Sequence, residues 1–544
     1  MRLVRTDRIT TSLTTDHAQT KPGSDADPRL TGREQWARLA QNTATLGFVL
    51  YSIFAPHSIA AAEIALAIAG AGWLVRSLAT GQAGFRRMPF DETSGQRTAF
   101  DEVGVPRTRF EATGVPRTRF DLVIWFFFLW TVASSFLSEE PRISIAKIQS
   151  ACVFLLFYLT QAVVTRRTAA VLVAVMILSG AAGTVYSLYD LARGRGVLIE
   201  SLAPESPFRQ LGIREGDAVW RVGERRVYSV NDIDNAIRSA PPEAKLSISL
   251  ISQGEHLERP GLTVSDAARN QPSPSGVTGS KATHRFRASG WTRHYETYSE
   301  ILQILAQLAL GLAVANFKNH GFNRRSKLAS AAFALLALGI ALTAMRTVLL
   351  ALVVGVAVIS VRALGRRAKV LSLAGLCLLL AFGAFVIYQT RARHALSLGD
   401  PSSTLRVQVA RVGLGRMMLH PLFGHGMDAM HVHWQEWGFP GKDLLHLHST
   451  PLQLAFDRGL PALGLWLWLM WLFWRSASRD EQALRDSSDT NRYGILLGAT
   501  GAVAGFFASS LVNYNFGDGE VALVFWWLLG IVVVLTGTQS SKTV

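Results

Sequence analysis

The chain has 544 residues, 49% hydrophobic and only 17% charged, with a mean hydropathy of +0.23. Soluble chains carry nearer a quarter charged residues, so this composition excludes an ordinary soluble domain and points to a membrane protein. The net charge of +16 would suit nucleic acid in a soluble protein; in a membrane protein it reflects Lys and Arg gathered in cytoplasmic loops, and no nucleic-acid partner is expected.

Residues 1–36 are polar and lack the apolar segment of a signal peptide, so they read as a disordered cytoplasmic tail. Residues 37–191 form the N-terminal transmembrane part, with apolar runs at about 38–55, 58–78, 121–137, 147–164 and 168–191. Residues 81–120 interrupt it as a cytoplasmic loop with a ten-residue repeat, FDEVGVPRTR and FEATGVPRTR. The repeat is too short to own a core; it is a linker, or an arginine-bearing contact for anionic headgroups. Both cysteines, Cys152 and Cys377, sit in apolar runs, and no disulfide framework or zinc spacing is present.

The pattern changes over 195–265. GVLIESLAPESPFRQLGIREGDAVWRVGERRVYSVNDIDNAI alternates like short strands, turns at Gly216-Asp217 and Gly223-Glu224, and starts a helix near Asn231; KLSISLIS adds a strand. A linker, 266–296, follows. The segments GRGVLI, SPFRQLGIREGD and VNDIDNAI resemble a bacterial PDZ domain of the kind found in periplasmic proteases. Such domains bind an extended C-terminal peptide by strand addition, and the resemblance implies Gly194, Arg195, Gly196 and Val197 as the carboxylate-binding loop. A spacer without a ligand is the other reading of this insert.

Transmembrane helices resume over 297–389, first at about 297–316. Leu328–Val361 then holds a single charge, Arg346. One helix of that length would run about 51 Å, against a hydrocarbon core of about 30 Å. Both flanks are basic (Lys318, Arg324, Arg325 and Lys327 before; Arg362, Arg366, Arg367 and Lys369 after), so both belong to the cytoplasmic side. Two short spans meeting near Arg346 at the outer face satisfy this. Runs at about 370–389, 451–474, 493–513 and 519–537 complete about twelve spans, the last three forming the C-terminal part, 451–537. Parity then puts 195–296 and the loop 390–450 outside. The expected fold is an all-α polytopic membrane protein with a small mixed α/β PDZ-like domain inserted in an outer loop.

Six of the 13 histidines lie between Gly415 and Leu465: His420, His425, His431, His433, His446 and His448. HSTPLQLAFDRGLPALGL, in which His448 leads into a span, resembles the O-antigen ligase and polymerase family of membrane glycosyltransferases. HPLFGHGMD at 420–428, FRASGWTRHYETYSEIL at 286–302, TAMRTVLLAL at 343–352 and the late VNYNFGDGEVALVFWWLLG are similar to further elements of that family, in order. Met345 stands where the family frequently has Ser.

The resemblance implies a bacterial inner-membrane enzyme whose site faces the periplasm. It would move a glycan from a polyprenyl-diphosphate carrier to a lipid or protein acceptor hydroxyl, without metal or cofactor. His448 would be the base, a task suited to imidazole. Arg287 and Arg346 would hold the diphosphate, which needs fixed positive charge. Arg406 and His446 are further substrate-binding candidates. Bland readings stand beside these: a helix-start histidine for His448, a snorkelling cation for Arg346. Polymerisation of carrier-linked repeats, protein glycosylation using the insert, and a membrane scaffold or transporter are the alternative functions. A zinc intramembrane protease is excluded by the absence of His-Glu-x-x-His.

Overall fold

A computed structural model describes residues 32–80, 118–363, 401–441 and 446–536, apart from a few positions between 242 and 293, together with scattered positions in 365–385. The tail before residue 32, nearly all of the repeat loop and most of the expected span at 370–389 lie outside the described residues.

Helices α1 (Gly32–Phe54) and α2 (Ile59–Thr80) form a hairpin, followed by α3 (Asp121–Leu137), the short α4 (Pro141–Ala146), α5 (Leu155–Val163) and the long α6 (Arg166–Arg193). A β-rich insert follows: β1 (Val197–Leu202), α7 (Pro207–Gln210), β2 (Ala218–Val222), β3 (Arg225–Arg226), α8 (Val230–Arg238), β4 (Lys245–Ser252), β5 (Glu255–Thr263), α9 (Asp266–Arg269) and β6 (Val277–Ala282). The chain then returns to helices as α10 (Tyr295–His320), α11 (Arg324–Leu342), α12 (Arg346–Ala363), α13 (Pro401–Met417), α14 (Ala429–His433), α15 (Thr450–Ala483), α16 (Thr490–Ser510) and α17 (Gly519–Thr536).

Among the described residues, seven helices are long and apolar enough to cross a membrane: α2, α6, α10, α11, α12, α16 and α17. The protein is therefore a multi-pass membrane protein. The expected run at 147–164 is not one regular helix, because a 3-10 stretch, Ile148–Phe154, precedes α5. Helix α1 falls outside the seven; it opens on Arg33, Gln35 and Arg38. Helix α15 is broken at Gly459, and its apolar half carries Trp466, Trp468, Trp471 and Trp474, residues that favour the membrane interface over its centre.

Helices α10 and α16 form the middle of the bundle, with 78% and 83% of their apolar windows buried, against 28% for α2. Small residues let them touch: a Cβ on Gly311 would lie 2.4 Å from the Gly494 carbonyl oxygen. Lipid tails give no hydrophobic drive between helices, so close backbone approach of this kind holds them together. The long apolar run divides where its basic flanks require. Helix α11 stops at Leu342, Ala344 takes a left-handed φ of 56°, and α12 begins at Arg346.

The insert is an antiparallel sheet in the order β5-β4-β2-β1-β6, with β3 beside β2. Its alternating apolar residues meet α8 in a core that includes Val197, Ile199, Phe208, Val219, Ile233 and Ile248. A capping box of Ser229 and Asp232 starts α8. The expected linker 266–296 is only partly a linker: β6 pairs with β1, Val197 opposite Ala282. Elsewhere Ala218, Ile251 and Phe286 form a second small core with Leu191, Leu198 and Trp220, which seats the insert on the end of α6. The buried Arg195–Asp190 ion pair, at 2.5 Å, reinforces that seat.

Candidate active site

The turn between α11 and α12 places Arg346 in the first turn of a helix, where the unpaired backbone N–H groups and the dipole already favour an anion. Arg287 comes to the same turn. The backbone N–H of Ala288 donates to the Leu342 carbonyl at 3.0 Å, and the Arg287 guanidinium stands 3.9 Å from the Met345 sulfur and 4.1 Å over the Tyr295 ring. Arg287 is only 4% exposed, so its stem and head are set by packing.

His448 precedes Ser449, whose hydroxyl caps α15, and itself holds a φ of 54°. A left-handed φ at a residue other than glycine carries strain that surrounding contacts must offset. Those contacts are specific. The Gln453 side chain accepts from the Leu447 N–H at 2.7 Å, and the His448 N–H donates to Nδ1 of His446 at 3.3 Å. The two imidazoles meet edge to face with centroids 4.5 Å apart.

A buried polar network locks this helix start to the bundle. The Thr450 N–H donates to the Asn513 carbonyl, and the Thr450 hydroxyl lies 3.1 Å from that oxygen and from Oδ1 of Asn515. The Asn513 amide donates to Glu300 at 2.9 Å and to the Thr347 hydroxyl at 3.0 Å; Asn515 also donates to Glu300, at 3.3 Å. Thr450 lies two residues after His448, and Thr347 adjoins Arg346. The network therefore joins the His448 segment, the Arg346 segment, α10 and the 511–518 loop.

Charge around the histidines is mixed. Arg406 pairs with Glu296 at 3.6 Å. Burial, then the charges of His446 and Arg406, pushes the His448 imidazole down to about 3. Burial lowers His446 as well, opposed by Glu296. Both rings are thus neutral at pH 7, each with a lone pair able to accept a proton. Burial raises the neighbouring Tyr514 phenol, which keeps its proton.

The 420–428 element packs against the break in α15. Gly459 has φ 80° and ψ 171°, and a Cβ there would fall 1.9 Å from the Leu422 carbonyl oxygen. The His425 and Gly426 N–H groups donate to the carbonyls of Phe456 and Asp457, and Leu460 returns a bond to Pro421. Pro461, just beyond, cannot donate into the preceding turn and so suits a broken helix. The α3–α4 turn closes over this element, with Glu140 N–H donating to the His425 carbonyl.

The structure thus gathers Arg287 with Arg346, and His446 and His448 with Arg406, and links the two groups through Thr450, Asn513 and Thr347. The peptide-binding assignment needs correction. Gly194, Arg195, Gly196 and Val197 are not an open loop: Arg195 is buried, its N–H donates to Thr283, and β1 has β2 on one edge and β6 on the other. A strand could add beside Val197 only by displacing β6. Glu300, Asn513 and Asn515 were not singled out from sequence, although an ionisable residue inside an apolar helix is itself a functional signal.

No curated protein matches this chain. Residues 331–467, running from within α11 through Arg346, Arg406, His446 and His448 to beyond the Gly459 break, match the family model described as O-antigen ligase.

Proposed function

We propose that this protein transfers a glycan from a polyprenyl-diphosphate carrier to an acceptor hydroxyl at the periplasmic face of a bacterial inner membrane. The observation that carries the reading is the hydrogen-bonded link between the His448 and Arg346 segments, through Thr450, Asn513 and Thr347. It supports a base and an anion site held at fixed separation, as acyl- or glycosyl-type displacement requires. The acceptor oxygen forms a bond to the anomeric carbon as the bond from that carbon to the diphosphate oxygen breaks. His448 takes the acceptor proton, and the polyprenyl diphosphate leaves against Arg346 and Arg287 with its electron pair. One direct displacement inverts the anomeric centre. No step uses a metal.

A free imidazole pushed down to about 3 is a weak base. The approaching diphosphate supplies the remedy, since its negative charge favours imidazolium and raises the basicity of His448 as the donor binds. Arg406, paired with Glu296, is a further contact for the donor. Polymerisation of carrier-linked repeats uses the same base and anion site. A protein acceptor is the reading in which the insert, seated beside Arg287 through Phe286, recruits substrate.

The test is glycan profiling of envelope lipid and protein in a deletion strain complemented with wild type or His448→Ala at equal protein level. Loss of long surface glycan with accumulation of carrier-linked polymer supports transfer to a terminal acceptor. Accumulation of short carrier-linked units alone supports polymerisation. Full restoration by His448→Ala overturns the catalytic assignment.

A further inference from the structure

The two histidines of the 420–428 element, His420 and His425, have no part in the proposed transfer, yet both converge on a carboxylate. One ligand atom each from Glu139, His420 and His425 lies within 4.8 Å of the others. His420 Nε2 is 3.6 Å from Glu139 Oε2, and His425 Nδ1 contacts the same oxygen. The three groups come from the end of α3, the end of the α13 segment and the glycine-rich turn, which no local pattern would bring together.

The second nitrogen of His425 decides what the site offers. Nε2 lies 2.9 Å from the Arg416 carbonyl oxygen, an acceptor that only a ring N–H can satisfy. That puts a proton on Nε2 and turns Nδ1 toward a carboxylate oxygen. Two species satisfy that contact: a second ring proton donated to Glu139, or a cation held between the Nδ1 lone pair and the carboxylate. A histidine whose far nitrogen donates to a backbone carbonyl while the near one faces other ligands has the orientation that metal-binding histidines adopt.

We propose that Glu139, His420 and His425 bind a divalent transition ion of the zinc type, cross-linking the α3–α4 turn to the element packed on the Gly459 break. Two imidazoles and one carboxylate are a ligand set suited to such an ion, leaving a fourth position for water. The His420 side chain, 43% exposed, and that of Glu139, 32% exposed, give the ion its access. Arg416, held 4.6 Å over the Trp437 ring, opposes the ion with its charge, so Arg416→Gln tightens binding.

The experiment uses the full chain purified in detergent, stripped with chelator and dialysed against Zn²⁺ or Co²⁺. Elemental analysis should find about one equivalent retained, and Co²⁺ should give visible bands of four-coordinate geometry. His420→Asn and Glu139→Gln, both at accessible positions, should lose the equivalent, while His431→Asn keeps it. Wild type that retains no stoichiometric metal, shows no Co²⁺ bands and melts at the same temperature with and without Zn²⁺ overturns the site, leaving a proton shared between His425 and Glu139. Retention by His420→Asn with loss in His431→Asn overturns it in favour of another histidine set. Since the wild-type measurements stand alone, misfolding of a variant does not shield the proposal.

Discussion

Replacing Asn513 by Ala tests whether the buried network positions the chemistry or merely stabilises the bundle. The change deletes the amide that reaches Glu300 at 2.9 Å and Thr347 at 3.0 Å, while the Asn513 backbone carbonyl still accepts from Thr450. Loss of a buried bond to a carboxyl group costs about 1.5–3 kcal/mol and of a neutral one about 0.5–1.5. The sum, about 2–4.5 kcal/mol, is available either to lower thermal stability or to loosen the Arg346 segment relative to His448. A positioning role sends part of it into the transition state. Each 1.4 kcal/mol so spent is about tenfold in rate, so kcat should fall about tenfold or more with KM changed little. The assay is transfer of carrier-linked glycan by detergent-purified protein, read beside a melting curve. A variant that melts earlier but turns over within twofold of wild type at a temperature where both are folded would refute the positioning argument.

Gly459→Ala should destabilise by at least about 3 kcal/mol, seen as lost monodisperse yield, because φ 80° with ψ 171° is nearly exclusive to glycine and the new Cβ strikes the Leu422 carbonyl. The acid limb of kcat/KM should lie well below pH 6.5, since free His448 stays neutral until about 3, and the limb of kcat should lie higher once the diphosphate is bound; equal limbs near 6.5 would contradict this. The same shift bears on stability: the unfolded imidazole takes its proton near 6.5 and the folded one near 3, so the stabilising contribution is complete above 6.5 and is lost as pH falls through that window. Melting curves between pH 4 and 7 should show wild type losing stability relative to His448→Gln as pH falls. Arg195→Met should cost about 3–5 kcal/mol by stranding Asp190, and pairing it with Asp190→Leu should recover most of the loss, measured as protease resistance of the insert.

The sequence was legible wherever one residue type had one physical meaning. A single Arg346 between two basic flanks forced a break in the helix, and the turn at Thr343–Met345 is that break. Alternation and turn residues marked β1, β2 and β4 of the insert. Strand β6 escaped because VTGSKA is small and polar, and only its partner β1 makes it a strand. Helix α15 looked continuous because Gly459 and Pro461 are tolerated in membrane helices; the carbonyl of Leu422, which fills the space a side chain would need, comes from 37 positions upstream. Glu300, Asn513 and Asn515 are polar residues with no shared local pattern, and their meaning lies in distances that only the packed bundle defines. The meeting of Glu139 with His425 is equally non-local, spanning 286 positions.

The pairing of β1 with β6 has a practical consequence for anyone cutting this protein. Entry and exit of the insert leave the membrane part side by side, with Val197 opposite Ala282 and the Arg195 N–H on the Thr283 carbonyl. An excision ending at residue 270 would leave Val277–Ala282 as an orphan edge, inviting the aggregation that exposed strands bring. An excision of 197–282 removes a closed module along its own seam. The two stumps, Gly196 and Thr283, are then near enough for a short glycine bridge, as adjoining ends commonly permit. The same seam would accept a foreign domain whose own termini lie together, so the insert's contribution to acceptor choice can be assayed by exchange as well as by loss.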